Sequence, residues 1–236
     1  PVGLQIDLTY GGSTNLPINV GDYEVVGSII HSNYVGTATN TLSITPATAG
    51  LTLTNLMQTY TGSALSVTPL TTPAGLPVDL LYDDATSVPV NAGSYEVIGS
   101  INHSNYVGFV TNTLVISKAA PTSLSVTNLS QVFDTTGKAV SVVTDPANLS
   151  HTVTYNGSSV EPVNVGSYTV ITTLTESNYV GAVTNTLNIT SATATVSLFD
   201  LTHVYDTAAQ MAPATSTPVG LQIDLTYGGS TNLPIN

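Results

Sequence analysis

The chain has 236 residues, 42% hydrophobic and only 7% charged, with a net charge of −12 and two cations, Lys118 and Lys138. So few cations exclude nucleic-acid binding, which needs clustered Lys or Arg against phosphate, and docking on anionic membranes. The absence of cysteine excludes a disulfide framework and thiolate metal sites.

Taken in chain order, Leu4, Ile6, Leu8 and Tyr10 alternate with polar residues and predict a strand closed by the Gly11-Gly12 turn. A second strand starts at Tyr23, just after a glycine. Leu42 and Ile44 mark a third, and Pro46 to Gly50 form a short link. The segment LTLTNLMQTYTG follows from Leu51, then a Pro73-Ala74-Gly75 corner. Leu76, Val78, Leu80 and Tyr82 alternate up to an Asp83-Asp84 turn. Tyr95, Val97 and Ile101 alternate around Gly99, and Leu114 and Ile116 end the pattern before a second link, Lys118 to Thr122. The series then begins again: Leu149, Val153 and Tyr155, interrupted by His151, lead to an Asn156-Gly157 turn. Near the end, Gln210-Met211-Ala212-Pro213 replaces Lys138-Ala139-Val140-Ser141, which predicts a short or irregular strand there. No stretch has a sustained 3.6-residue apolar period, and none is long and apolar enough to span a membrane.

The order of elements repeats. NVGDYEVVGSIIHSNYVGTATNTLSIT from Asn19 returns as NAGSYEVIGSINHSNYVGFVTNTLVIS from Asn91 and NVGSYTVITTLTESNYVGAVTNTLNIT from Asn164, at spacings of 72 and 73 residues. LTLTNLMQTYTG returns from Leu124 and Val196. The string PVGLQIDLTYGGSTNLPIN occupies Pro1–Asn19 and, unchanged, Pro218–Asn236, so a 217-residue period contains three of the shorter ones. The implied units are 1–45, the C-terminal part of a repeat; 46–117 and 118–190, two complete repeats; and 191–236, an N-terminal part. Residue 1 falls inside a strand pattern, which reads as an excerpt of a longer array. The fold expected is all-β, a tandem array of antiparallel two-layer sandwiches of about 72 residues with five to seven short strands each. Short links predict touching domains and a stiff array.

LTNLMQTYTG, TTPAGL, a Tyr-ended strand, NAGSYEV and NYVG…TNTLVI, in that order, resemble the MBG-type repeats of bacterial surface and adhesin-like proteins. They are more loosely similar to bacterial immunoglobulin-like repeats. The resemblance covers essentially the whole chain and implies a tandem module of a secreted or cell-surface protein without a catalytic site. Tyr23, Tyr95 and Tyr168, each after a glycine turn, resemble the tyrosine corner of Greek-key sandwiches, so the sandwich expected is immunoglobulin-like. A β-grasp-like module is the alternative fold.

Candidate sites weigh toward structure. His31 and His103 share one slot in HSNYVG, but Glu176 fills it in the next copy and no second ligand keeps a fixed spacing, so they read as loop residues. Asp22 and Asp83-Asp84 invite calcium, which needs six or more oxygens; the counterparts of Asp83 are Asn156 and Gly11, so no ligand set repeats. Asp7, Asp79 and Asp224 align with Thr152 and read as solvent-facing strand residues. Lys118 and Lys138 stand at unrelated repeat positions, against one Lys–Asn crosslink per domain. Tyr34, Tyr106 and Tyr179 in SNYVG suggest a sugar-stacking ladder or, better, caps on the core. The Asn156-Gly157-Ser158 sequon carries little weight for a bacterial source. No catalytic, cofactor-binding or metal-binding residue is expected.

Two functions follow. The first is a stalk or spacer in an extracellular adhesin, whose partners are neighbouring repeats. The second is a fibre or matrix subunit that self-associates head-to-tail through its incomplete terminal repeats. Direct glycan or ice adhesion is weaker, because threonine spacing differs between repeats.

Overall fold

A computed structural model of the chain describes residues 2–233; Pro1 and residues 234–236, the last three of the second nineteen-residue copy, lie outside it. The described residues form strands and turns, with no helix, and divide into two compact units. One holds residues up to Pro121 together with Leu174–Gly181; the other holds Thr122–Thr173 and the residues from Ala182 onward.

In the first unit, β1 (Gln5–Tyr10), β2 (Gly21–Ile30) and β3 (Thr37–Ile44) form an antiparallel sheet in that order. After β4 (Ala47–Thr48) come β5 (Gly50–Thr54), β6 (Met57–Thr59), β7 (Thr68–Thr72), β8 (Val78–Tyr82), β9 (Gly93–Ile101), β10 (Tyr106–Val107) and β11 (Phe109–Ser117). β5 and β7 make one layer; β6-β11-β9-β8 make the other. Alternation along β9 and β11 turns Val97, Leu114 and Ile116 inward, where they pack with Leu53, Val67 and Tyr82. This complete repeat is therefore a small sandwich rather than a single β-grasp-like sheet.

The second unit repeats the scheme with β12 (Ser123–Thr127), β13 (Ser130–Val132), β14 (Ser141–Asp145), β15 (His151–Tyr155), β16 (Gly166–Leu174) and β17 (Ala182–Thr190). β12-β14 forms one layer and β13-β17-β16-β15 the other, around Val126, Tyr155, Val170, Leu187 and Ile189. A further hairpin, β18 (Thr195–Leu198) with β19 (Ala214–Thr217), follows. β19 is one residue shorter than β7 and β14, because Pro213 stands in the slot of Thr68 and Ser141.

The sandwiches are not wholly antiparallel. β6 runs parallel to β11, and β13 parallel to β17. Asn55 and Asn128, both at positive φ, turn the chain from the end of one layer to the edge of the other without reversing it.

Tyrosines hold each repeat at two places. Tyr23, Tyr95 and Tyr168 donate to the carbonyls of Asn19, Asn91 and Asn164 at 3.0, 2.8 and 2.9 Å, the bond of a tyrosine corner. The strand-ending Tyr82, Tyr155 and Tyr227 accept from the amides of Val67, Val140 and Ala212 at 3.2, 3.1 and 2.9 Å.

Candidate functional site at the joint between repeats

The most specific polar arrangement in the first unit lies where successive repeats meet. The loop between β9 and β11 carries Asn105. Its Oδ1 accepts from the Val20 amide at 2.9 Å, and its Nδ2 donates to Asn19 Oδ1 at 2.8 Å. Its carbonyl accepts from the Ala47 amide at 3.0 Å, while the Ala49 amide donates to Val107 at 2.9 Å. β10 and β4 thus pair in parallel, and one asparagine joins the turn of one copy to the link that leads into the next.

The same unit holds a second instance. Asn178 accepts from the Ala92 amide at 2.8 Å, donates to Asn91 Oδ1 at 3.0 Å and accepts through its carbonyl from Ala119 at 3.0 Å. The Tyr179 ring meets Tyr60 edge-on, with centroids 5.5 Å apart. Both asparagines are half-buried, so water is partly excluded from these bonds.

Four stretches match the MBG domain model: residues 1–48, 49–120, 122–193 and 194–236. The chain belongs to the MBG domain family. MBG domains are structural repeat modules, not known enzymes, and here they run in tandem. No curated protein matches the chain.

The residues singled out from sequence have structural partners in these MBG repeats. His31 and His103 accept, through Nδ1, from the amides of Asn33 and Asn105 at 3.0 Å each. Their rings lie 5.0 and 5.2 Å from Tyr34 and Tyr106. The histidine therefore shapes the loop that presents the asparagine. Where Glu176 takes that slot, Lys118 Nζ donates to the Glu176 carbonyl at 2.8 Å. Asp83 and Asn156 each accept through Oδ1 from the facing strand, from Glu96 and Thr169 at 2.8 Å, which anchors the turn. Asp22 accepts from Ser43 and Asp79 from Asn102; Asp7 and Asp224 are exposed. Lys138 is buried and pairs with Asp134 at 2.5 Å. No group of three or more His, Asp or Glu placed to hold a metal occurs among the described residues.

The joint asparagines are what the sequence reading passed over. Their signal was present: Asn33, Asn105 and Asn178 stay constant where the neighbouring histidine does not, as do Asn19, Asn91 and Asn164.

Proposed function

We propose that this chain is a stalk or spacer segment of a secreted or cell-surface bacterial protein, carrying another part of that protein away from its anchorage. The observation that supports this most is the asparagine joint, present twice in the first unit with the same three polar contacts. A flexible tether needs no such contacts; a spacer that must keep its reach does. A surface of neutral hydroxyls and amides suits a medium of changing salt and pH. The test is small-angle scattering on the whole chain. The expected particle is elongated, and Asn105→Ala with Asn178→Ala broadens its distance distribution. A compact particle, or a double variant with an unchanged distribution, sinks the reading.

A further inference from the structure

The chain enters the first complete repeat through β4 and leaves it through β11. β10 and β11 make one run, 106–117, interrupted only at Gly108. Incoming strands flank both ends of that run, and both lie parallel to it: β4 beside β10 and β6 beside β11. Tension on the repeat therefore pulls β4 and β6 one way along the strand axis and β11 the other. Every bond across these pairs is stretched at once. Were β6 antiparallel to β11, its N-terminal end would lie beside the C-terminal end of β11, and tension would unzip the two bond by bond.

Core residues anchor the β6-β11 pair at both ends. The Val115 amide donates to the Leu56 carbonyl at 2.8 Å, and the Tyr60 amide donates to the Ser117 carbonyl at 2.9 Å. The Leu56 and Tyr60 side chains pack against the cluster of Leu53, Leu114 and Ile116, which limits the access of water to a stretched bond. Gln58, at the middle of β6, donates through Nε2 to the carbonyls of Asn55 at 2.9 Å and Ser66 at 3.0 Å. It ties the strand to the turn before it and to the segment after it. The second unit has the same device. There the Asn188 amide donates to the Leu129 carbonyl at 2.8 Å and the Phe133 amide to the Thr190 carbonyl at 2.9 Å. Leu129 and Phe133 again pack on the core, and Gln131 is tied to Asn128 and Ala139. The chain has no cysteine, so no disulfide can carry tension in place of these bonds.

We infer that each complete repeat is a mechanical clamp. It resists tension along the chain by holding β6 against β11, and β13 against β17, in shear. Resistance of this kind is a high barrier to forced unfolding, set by the unfolding rate and not by equilibrium stability. It belongs to each repeat by itself and goes beyond the spacer reading, so a compact scattering particle would leave it untouched.

Single-molecule pulling on the full chain, between introduced cysteines, tests this. Thr45→Cys with Lys118→Cys loads the β6-β11 pair in shear. Ser63→Cys with Lys118→Cys loads it from the end that Tyr60 and Ser117 close, so the pair peels. Thr45, Ser63 and Lys118 are exposed, and Lys118 is common to both variants. Denaturant unfolding in bulk should give the two variants the same midpoint. At one loading rate the Thr45–Lys118 axis should break at a force at least ~2-fold higher than the Ser63–Lys118 axis, because its evenly spaced bonds share the load. On that axis β4 to β11 should release in a single step. Equal forces, or a stronger Ser63–Lys118 axis, overturn the proposal. So does a Thr45–Lys118 trace in which β4, β5 and β6 strip away in an earlier step of their own, or a force difference that a difference in midpoint accounts for.

Discussion

Asn105 shows how much one side chain does in this protein. Its carboxamide accepts from the Val20 amide through Oδ1 and donates to Asn19 Oδ1 through Nδ2, two bonds from two atoms on one short stem. Asn105→Ala leaves both groups unmatched at a half-buried joint. It should cost about 1–3 kcal/mol at that joint, seen as faster hydrogen exchange at Val20 and Ala47 with the Val97 and Leu114 core amides unchanged. Asp134 offers a second residue-scale test. Lys138 beside it, then the hydroxyl and amide of Thr136, hold its carboxyl well below the usual carboxylate range. A lowered folded-state pKa stabilises the fold above the unfolded value and is lost as pH falls through the folded one. The stability gap between the parent and Asp134→Asn should therefore be widest near neutrality and shrink below about pH 4. Denaturant titrations at several pH values would check it; a gap that grows in acid would contradict the assignment.

Among the elements, the short β10-β4 pair depends on the absence of a side chain at Gly108. A Cβ there would come 2.6 Å from the Ala49 carbonyl oxygen and 2.9 Å from Ile101 Cδ1. The nearer clash is with backbone, which cannot swing aside, so Gly108→Ala should cost about 1–3 kcal/mol and open the pair. Gly36 holds the same slot in the first sheet, where a Cβ meets only the mobile end of Ile29 at 3.0 Å. Gly36→Ala should be close to neutral. Thermal unfolding of the two variants side by side separates a joint requirement from a general need for glycine in this loop.

At the scale of the whole molecule, the charge balance dominates. Fourteen carboxylates face two cations, and no arrangement of the chain can pair them all. Self-repulsion should outweigh attraction, so salt screens a net cost. Raising ionic strength from about 10 mM to about 500 mM should raise the melting temperature by a few degrees, the reverse of a fold held by ion pairs. Calorimetry in a non-binding salt would show the sign.

The amino-acid sequence by itself determined the period, the alternating strands, the glycine and asparagine turns, and the tyrosines at strand heads and ends. Each of these is a local pattern: Leu76 to Tyr82 alternate because one face of that strand meets a core. The family, too, was legible in the order of its motifs. Only the tertiary structure decided the parallel edge strands β6 and β13, which look in sequence like any other short β run. It also decided the work of Asn105 and Asn178, whose partners lie 85 to 87 residues away. Asparagine in a loop ordinarily bonds its own turn, so residue type and spacing give no hint of so distant a partner. Gly99 makes the same point: in sequence it is a glycine in a strand, and only the fold shows Leu51 and Leu53 of the other layer seated on it.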